Sequence, residues 1–483
     1  MGIELSKVDH QFDKGVQVRN PRTGKNDRAL EAPSHDELIA LTSRLRANQS
    51  KWHQSGPAHR AEVLLKWRDA LLAHKEELAQ ALTEDTGRRT ESSIEVQVSV
   101  DGLKRWADQV VELLDEETIQ QTTMPGVSVA PSIRPYSLVG IISPWNFPLL
   151  LALIDAIPAL AAGCAVIIKP SEITPRFLAP LAKTLIDVPE IGEVVGLIEG
   201  AGETGAALIP LVDLVCFTGS VETGRIVAEN AARNFIPASL ELGGKDPAIV
   251  LPGANLDRAV PGILWGATAN SGQSCLSIER VYVHETLHDE FVSRISPMAA
   301  SLGVNFPDLE GRGIGPMIAE DQIATIQSHL EDAYAKGAIA TAGGELKFLG
   351  GGAYLEPTIL TNVNHSMKVM TDETFGPIIP VMKFSTDEEV LALANDTIYG
   401  LSAAFFGEEE RAKKLGRQID AGAVSINDAA LTGVMHEGEK QAFKLSGIGG
   451  SRMGKISIRR FYRRQSLLIN SSTGRDPWWW PES

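Results

Sequence analysis

Residues 239–280 read SLELGGKDPAIVLPGANLDRAVPGILWGATANSGQSCLSIER, and they carry one acid and one thiol among small residues. Glu241 lies in ELGGK, where two glycines permit a tight turn, and Cys275 follows the small and polar residues of NSGQS. The two side chains are 34 positions apart, so local structure cannot bring them into contact. If they act together as base and nucleophile, the fold must join them.

Strand-like and helix-like segments alternate on both sides of this stretch. Before it, VGIIS, CAVIIKP, VVGLIEG and VDLVCFTG are predicted strands separated by predicted helices. After Lys245, the strand PAIVL, the helix LDRAVPGILWGATANSG and the strand RVYVH begin a second alternating region that runs to about Asn427. Such alternation predicts an α/β fold with parallel sheets covered by helices on both faces.

Other helical and extended segments flank these two regions. Helical spacing of apolar residues predicts helices over residues 35–49, 57–86 and 91–115. Residues 117–136 are rich in threonine and interrupted by proline, and the later stretch KISIRRFYRRQSLLIN is also strand-like. We therefore expect extended strands at both places.

Composition narrows the class of protein. A chain of 483 residues predicts two or three domains. The formal net charge of −16 disfavours a nucleic-acid partner. Three cysteines are too few for a disulfide framework and favour a reducing compartment. The first residues lack the basic and apolar regions of a secretory signal, so we expect a cytoplasmic protein.

Residues 137–168 are apolar over a length that would suit a membrane span. Three prolines, at positions 144, 148 and 158, interrupt the stretch, and Asp155 lies within it. Its β-branched ends and Leu/Ala-rich middle instead indicate a strand, a helix and a strand of a buried βαβ unit. No stable membrane insertion is expected.

Three polar segments at predicted strand ends are candidate ligand contacts. Gly219 and Ser220 follow an apolar strand and open a helix, so Ser220 is a candidate N-cap and phosphate contact. Residues 200–205, GAGETG, form an isolated GxGxxG without the expected downstream acid, and we interpret them as a tight turn. Lys169 and Glu172 of KPSE are candidates either for ribose hydroxyls or for a solvated turn.

Two further patterns have ordinary explanations. HETLH at residues 284–288 matches the zinc motif HExxH, but a predicted strand runs directly into His284. The two histidines therefore need not share a helix face, and we expect no metal. The end of the sequence is basic and aromatic, with tryptophans at 478–480. An oligomer contact explains it better than a membrane-surface anchor.

Six motifs occur in a fixed order along the chain: PWNFP (144–148), KPSE (169–172), FTGSxxxG (217–224), ELGGK (241–245), GQSC (272–275) and ETFGP (373–377). This series resembles the aldehyde dehydrogenase superfamily over about residues 30–470. The resemblance implies a Rossmann-like cofactor domain over 1–118 and 137–243 and an α/β catalytic domain over 244–443. It also implies an arm formed by 119–136 and 444–483 that joins subunits of a homodimer or homotetramer.

The resemblance also implies the roles of individual residues. Cys275 is the implied nucleophile and Glu241 the implied general base, while Asn146 and the backbone N–H of Cys275 form the implied oxyanion hole. The implied cofactor contacts are Lys169, Glu172, Gly219, Ser220, Glu373, Phe375 and Trp145. In this chemistry the thiolate adds to an aldehyde, hydride leaves for the nicotinamide, and Glu241 activates water to hydrolyse the thioester.

The substrate and the cofactor are inferred from fewer residues. Glu172 favours NAD over NADP, because a carboxylate bonds a ribose hydroxyl and repels a 2′-phosphate. The candidate substrate pocket is apolar and contains Phe147, Leu151, Ile154 and Leu276. Because no arginine lies beside Cys275 in the sequence, we expect an aliphatic or aromatic aldehyde without a charged end.

Two departures from the family pattern leave the substrate open. Residues 441–447, QAFKLSG, lie where the family often has PFGG, and the tail beyond Asn470 is unusual. Two other readings remain at this point. One is a thiol hydrolase or esterase that uses Cys275 and Glu241 without redox chemistry, and the other is a non-catalytic binding protein with the same fold.

Overall fold

A computed structural model describes residues 12–114, 119–309, 313–476 and 478–479 of the chain. Its strands are β1 (Gln17–Arg19), β2 (Asn26–Ala29), β3 (Gln120–Gln121), β4 (Val127–Pro135), β5 (Leu138–Ile142), β6 (Ala165–Lys169), β7 (Val195–Leu197), β8 (Leu214–Thr218), β9 (Ala238–Glu241), β10 (Asp246–Val250), β11 (Ile278–His284), β12 (Ile339–Ala342), β13 (Leu346–Leu349), β14 (Gly352–Leu355), β15 (Thr358–Thr361), β16 (Ile378–Phe384), β17 (Ser402–Phe406), β18 (Ala423–Ile426), β19 (Gly447–Ile448) and β20 (Tyr462–Asn470). Its α-helices are α1 (His35–Gln54), α2 (Gly56–Ala73), α3 (Lys75–Thr86), α4 (Arg89–Leu113), α5 (Pro148–Ala162), α6 (Leu178–Asp187), α7 (Pro189–Gly192), α8 (Gly202–Leu208), α9 (Val221–Arg233), α10 (Leu256–Thr268), α11 (Glu285–Ala300), α12 (Glu320–Ala335), α13 (Lys368–Thr371), α14 (Asp387–Asn395) and α15 (Glu409–Gly416).

The first large sheet has six strands in the order β19-β9-β8-β5-β6-β7. Strands β5 to β9 are parallel, and β19 pairs antiparallel with β9. Every residue of β5, β6 and β8 is buried, which explains why their sequences are continuous apolar runs. The chain first moves outward from β5 to β7 and then continues on the other side with β8 and β9. This reversal creates a crevice at the carboxyl ends of the strands.

The second large sheet has seven strands in the order β12-β15-β16-β11-β10-β17-β18. All neighbouring strands are parallel except β12 and β15. Ile249 and Tyr282 belong to one apolar cluster, whereas Val250 and Val281 belong to another. Because successive strand residues point to opposite faces, the sheet is covered on both sides. The predicted α/β class with parallel sheets is confirmed.

β9 of the first sheet ends at Glu241 and β10 of the second begins at Asp246. The four residues between them include two glycines, Gly243 and Gly244. A Cβ atom on Gly243 would lie 2.4 Å from Oε2 of Glu373, and one on Gly244 would lie 2.5 Å from the backbone oxygen of Cys275. Glycine is therefore required here for close approach rather than for a special φ angle. The ELGGK turn brings segments of the second sheet against the end of the first.

The arm is a three-stranded antiparallel sheet with the strand order β20-β4-β3. β20 and β4 pair over nine residues, from Tyr462 opposite Pro135 to Asn470 opposite Val127. The extended strands predicted for this arm are present in its described residues. Gly447 and Ile448, which we had assigned to the arm and tail, instead pair with β9 of the first sheet. The remaining domain boundaries stay a prediction.

The helical prediction for residues 57–86 was wrong in one respect. The structure has two helices there, α2 and α3, separated at His74, whose φ is −100° and ψ is 14°. The His74 side chain contacts Asp187 through Nε2 at 2.8 Å, and this tertiary contact accompanies the break. In the described ranges, no helix is both long and apolar enough to cross a membrane. Trp480 lies outside the described residues.

Candidate active site

The candidate catalytic and cofactor residues meet at one edge of the six-stranded sheet. Glu241 ends β9, Lys169 ends β6, Gly219 follows β8, and Asn146 follows β5 by four residues. The carboxyl ends of parallel strands lie at the same edge of a sheet, so side chains far apart in sequence become neighbours.

The Cys275 loop has a strained backbone that side chains hold in place. Asn270, Ser271 and Gly272 have φ angles of 56°, 58° and 69°, three consecutive residues in the left-handed region. The Asn270 amide donates to the carbonyl of Gln273 at 2.8 Å. The Gln273 side chain in turn donates to Pro316 O at 3.2 Å and accepts from the Ile318 N–H at 2.9 Å. These bonds fix the approach to Cys275.

Asn146 is buried against this loop. Its Nδ2 donates to Gln273 O at 3.0 Å, two residues before Cys275. The backbone carbonyl of Asn146 accepts hydrogen bonds from Asn270 Nδ2 at 3.0 Å and from Nη2 of Arg88 at 2.9 Å. An amide nitrogen carries two hydrogens, so one N–H of Asn146 remains for another acceptor.

The thiol of Cys275 is half-buried and has an acidic environment. Burial raises the pKa of Cys275 to about 12, the Lys440 ammonium opposes that rise, and the carboxylates of Glu373, Glu241 and Asp246 add to it. The thiol is therefore protonated at neutral pH and requires a base. Glu241 and Glu373 both act electrostatically on the thiol, so the fold brings these sequence-predicted residues to one place.

Glu373 lies across the ELGGK turn. Its Oε1 accepts the Gly244 N–H at 2.9 Å. Burial, followed by the neighbouring Glu279 carboxylate, raises the pKa of Glu373 to about 8. A carboxyl group whose pKa is raised in this way takes up a proton more readily, and in its protonated form it offers both a donor and an acceptor.

A buried ion pair orders the ETFGP loop. Nζ of Lys245 lies 2.7 Å from Oε2 of Glu279, and both side chains are almost fully buried. Glu279 also accepts the backbone N–H groups of Thr374 and Phe375 at 2.7 Å each. The Phe375 ring packs edge-on against Trp145, with 5.3 Å between ring centroids. The structure thus joins two of the predicted cofactor residues.

The remaining predicted cofactor residues lie at the carboxyl ends of β6 and β8. Nζ of Lys169 donates to the carbonyl of Pro170 at 2.9 Å and lies 4.0 Å from Oε2 of Glu172. Ser220 is exposed and caps α9 by accepting the Thr223 N–H at 3.2 Å. A lysine, a carboxylate and a capped helix N-terminus suit the hydroxyls and phosphates of a dinucleotide.

The GAGETG segment is closed to a phosphate. The carboxylate of Asp13 accepts the backbone N–H groups of Ala201 and Thr204 at 2.7 and 3.1 Å. It also accepts the Thr204 hydroxyl at 2.7 Å. The start of α8 therefore already has an anionic partner, in keeping with a structural turn.

The predicted pocket residues share one side of α5. Phe147, Leu151 and Ile154 follow the helical spacing i, i+4 and i+7, and all three are half-buried. Leu276, next to the thiol, is also half-buried. The Arg88 guanidinium lies over the Phe147 ring, 5.4 Å from its centroid.

Several polar residues of the site were missed from the sequence. Lys440 acts on the charge of Cys275, and Arg88 and Asn270 hold Asn146. Asp155 forms buried ion pairs with Arg452 and Arg460, and its position inside an apolar helix was a signal for a cationic partner. Lys440 gave a weaker signal, because it immediately precedes the segment that departs from PFGG.

The HExxH motif is divided between two elements. His284 ends β11, and its side chain caps α11 by accepting the Thr286 N–H. His288 lies on α11 with Nδ1 2.8 Å from Oδ1 of Asp289. Across the described residues, no cluster of three His, Cys, Asp or Glu side chains is arranged to hold a metal ion.

Comparisons with known proteins cover nearly the whole chain. The sequence profile of the aldehyde dehydrogenase family matches residues 8–467. The structure of "Putative Aldehyde Dehydrogenase PutA" from Anabaena variabilis is 54% identical, with a TM-score of 0.95 over 96% of this chain and 100% of that one. A 4,4'-diapolycopene aldehyde oxidase of Methylomonas sp is 37% identical over 89% of this chain and 82% of its own length. The succinate-semialdehyde dehydrogenase [NADP(+)] GabD of Escherichia coli (strain K12) is 32% identical over 92% and 93%.

Proposed function

Because the chain belongs to the aldehyde dehydrogenase family and is an oxidoreductase that acts on aldehydes, we propose that it oxidises an apolar aldehyde to the carboxylic acid with NAD, using Cys275 as nucleophile. The convergence of Cys275, Glu241 and Asn146 at one sheet edge supports this proposal most directly. The family membership replaces the two other readings, a redox-free thiol hydrolase and a non-catalytic binding protein.

The first step is attack of the Cys275 sulfur on the aldehyde carbon. Since burial raises the pKa of this thiol to about 12, its proton must pass to a base. The thiol is half-exposed, so it releases this proton to solvent water as the sulfur bonds to the aldehyde carbon. The resulting alkoxide is held by the free N–H of Asn146 and the backbone N–H of Cys275.

The proposed cofactor contacts lie at the ends of β6 and β8 and in the loops that contain Trp145 and Glu373. Lys169 and Glu172 would hold the adenosine ribose, Gly219 and Ser220 the pyrophosphate, and Glu373 the nicotinamide ribose, with Phe375 and Trp145 packing beside the nicotinamide. When bound, a nicotinamide dinucleotide supplies the hydride acceptor that turns the alkoxide adduct into a thioester.

Hydrolysis of the thioester completes the reaction. Glu241 takes a proton from water, the water oxygen bonds to the acyl carbon, and the bond from that carbon to the Cys275 sulfur breaks. The acid leaves, and the sulfur returns as thiolate or takes up a proton. A base at this position favours a free carboxylic acid as the product.

Glu172 supports NAD as the cofactor. Its carboxylate is available at the sheet edge beside Lys169, with 4.0 Å between Oε2 and Nζ. A negative charge there repels the 2′-phosphate of NADP and accepts a bond from the 2′-hydroxyl of NAD. The name of the Escherichia coli relative specifies NADP⁺, so NADP is the alternative that an experiment must separate.

The half-buried apolar side chains of Phe147, Leu151, Ile154 and Leu276 support an aliphatic or aromatic aldehyde. The relative from Methylomonas sp is named for a 4,4'-diapolycopene aldehyde, with no acid group in that name. A second candidate is an anionic semialdehyde, which is favoured by the Lys440 charge near Cys275 and by the name of the Escherichia coli relative.

A kinetic comparison tests cofactor and substrate together. We expect kcat/KM for hexanal and benzaldehyde to exceed that for succinic semialdehyde, and NAD to be preferred to NADP by about 10-fold or more. The readout is absorbance of the reduced nicotinamide. Much faster turnover of succinic semialdehyde would contradict the apolar assignment. In that case Lys440→Met should lower kcat/KM for the anionic substrate more than for hexanal.

The arm supports self-association. β20 is an edge strand, and Leu467, Leu468 and Ile469 on it are 48%, 74% and 41% exposed. An apolar edge strand is a surface suited to another copy of the same arm. We therefore propose a homodimer or homotetramer. The net charge of −16 and the small number of cysteines support a cytoplasmic protein without a nucleic-acid partner.

A further inference from the structure

Asp155, Arg452 and Arg460 form a buried charge cluster beside the sheet edge where Glu241 lies. Nη2 of Arg452 donates to Oδ2 of Asp155 at 2.6 Å, and Nη2 of Arg460 donates to Oδ1 of the same carboxylate at 2.8 Å. The side chains of Arg452, Arg460 and Asp155 are 8%, 5% and 1% exposed. Such a cluster requires close charge balance, since a buried charge without a partner is costly.

The cluster has one positive charge too many. Two arginines and one aspartate sum to +1, and Glu241 is the acid that acts on this excess. Burial lowers the pKa of Arg452, but Asp155 and then Glu241 raise it by more. Cys216, buried within the same sheet, experiences the charges of Asp155, both arginines and Glu241. All four charged groups therefore act on the same residue of β8, Cys216.

The register of β8 and β9 places Arg452 on the Glu241 side of the sheet. Thr218 of β8 is the direct neighbour of Glu241 on β9. Its Oγ1 accepts a hydrogen bond from Nη2 of Arg452. Side chains of directly paired residues point to the same face of a sheet, so the guanidinium and the Glu241 carboxylate share a face.

A hydrogen-bond donor and an acceptor without partners lie on this face of the sheet. Nε of Arg452 is buried and has no hydrogen-bond partner. Within the part of the chain that the structure describes, the carboxylate of Glu241 likewise receives no side-chain hydrogen bond, although its backbone oxygen accepts the Gly219 N–H at 3.2 Å. Each group therefore has bonding capacity that the other could satisfy.

We infer that Arg452 is a positioning residue for Glu241. Its Nε–H holds the carboxylate on the face of the sheet where Arg452 and Asp155 lie. From there Glu241 turns to Cys275 when the thioester is hydrolysed. This inference rests on the proposed role of Glu241 as the base. Arg452 touches neither substrate nor cofactor. It holds the base in one of its two positions.

The consequence falls on one half of the reaction. Addition of the thiol and loss of hydride depend on Cys275 and Asn146, whereas hydrolysis depends on the placement of Glu241. Loss of Arg452 should therefore slow hydrolysis much more than hydride loss. The thioester then accumulates, and the first turnover appears as a burst of reduced cofactor.

Stopped-flow measurement of reduced cofactor tests this expectation. Arg452→Met should lower the steady-state rate about 10- to 100-fold while the first-turnover rate stays within about 3-fold of the original, giving a burst close to one equivalent per site. Arg452→Lys retains a cation and should recover part of the steady-state rate. Equal loss of both rates in Arg452→Met, or loss of neither, overturns the inference.

Arg460→Met is the matched control. Arg460 binds the same Asp155 carboxylate, but its other contacts are Ser239, Ser457 and Phe461. Its removal disturbs the cluster without removing a donor to Glu241, so the ratio of hydrolysis to hydride loss should stay within about 3-fold. If Arg460→Met lowers this ratio as much as Arg452→Met, the effect is general packing and the inference is wrong.

Two additional variants separate the possible failures. Glu241→Gln should block hydrolysis, and if it does not, the base assignment itself is wrong. If Glu241→Gln blocks hydrolysis and Arg452→Met does not slow it, only the role of Arg452 is wrong. Should Arg452→Met fail to fold, Thr218→Val removes one bond to Arg452 and should increase the burst in the same direction; an unchanged burst in that folded variant overturns the inference.

Discussion

The two sides of the reaction centre differ in how their catalytic side chains are held by hydrogen bonds. On the Cys275 side, hydrogen bonds of 2.8–3.0 Å link Asn146 and Asn270 to each other and to Gln273, although Oδ1 of Asn270 has no partner. On the Glu241 side, Arg452 has a buried Nε without a partner. The loop with three left-handed residues is thus the more tightly held of the two.

This difference corresponds to what each side must do. An oxyanion hole is effective only if its donors are in place before charge develops, so the Cys275 side benefits from a fixed network. A base that turns to Cys275 only when the thioester is hydrolysed needs more than one position. Open bonding on the Glu241 side allows this movement.

The largest expected effect breaks the Cys275 side altogether. Cys275→Ala removes the nucleophile and should reduce aldehyde oxidation by at least about 10⁴-fold, with the melting temperature little changed because the thiol is only half-buried. Steady-state formation of reduced cofactor is the measurement. Ser274→Ala, on the adjacent half-buried residue, is the control and should retain most activity. Activity remaining in the alanine variant would rule out the thiol mechanism.

The next effect sharpens the comparison within the hydrogen-bond network of Asn146 and Asn270. Asn146→Ala removes an oxyanion donor and should lower kcat by about 10²–10³-fold. Asn270→Ala leaves that donor present but unsupported, and we expect a smaller loss, about 10-fold in kcat with KM little altered. Steady-state kinetics of both variants distinguishes donor from support. Equal losses in the two variants would mean that Asn270 maintains the whole loop.

The smallest expected effect concerns the charge that the acidic site places around the thiol. Because the pKa of Cys275 is raised to about 12, its alkylation by iodoacetamide should increase about 10-fold per pH unit between pH 7 and 10. Lys440→Met removes the cation that opposes this rise and should slow alkylation about 3- to 10-fold at any one pH.

Lys444→Met provides the matched control for the Lys440 variant. Nζ of Lys444 contacts Asn395 O at 2.7 Å and Oδ2 of Asp420 at 3.1 Å, so its charge already has an acidic partner. Alkylation of this variant should match that of the original protein. Equal rates in all three proteins would show that Lys440 has no influence on Cys275.

Much of the fold was predictable because its signals are local. Continuous apolar runs such as residues 165–169 indicated buried parallel strands, and the register now places them at the centre of a sheet. The α5 pattern indicated which residues share a face. The break at His74 was not predictable, since it accompanies a contact with Asp187, which is 113 residues away.

The candidate site was partly predictable for a chemical reason. Cys275, Glu241 and Asn146 lie in ordered motifs, and each has a reactive group that stands out among small or apolar neighbours. Arg88, Lys440 and Arg452 have no such setting. They are ordinary basic residues in the sequence, and they gain importance only because the fold buries them or directs them at an acid or a thiol.

The sequence by itself determined that this is an α/β protein of the aldehyde dehydrogenase family with one thiol and one acid suited to the reaction, because these features depend on residue type, order and local spacing. Tertiary structure alone decided that Lys440 influences the thiol and that Arg452, Arg460 and Asp155 share an uneven charge behind Glu241. Electrostatic energies depend on distance and burial, and both are set by the packing of segments up to about three hundred positions apart.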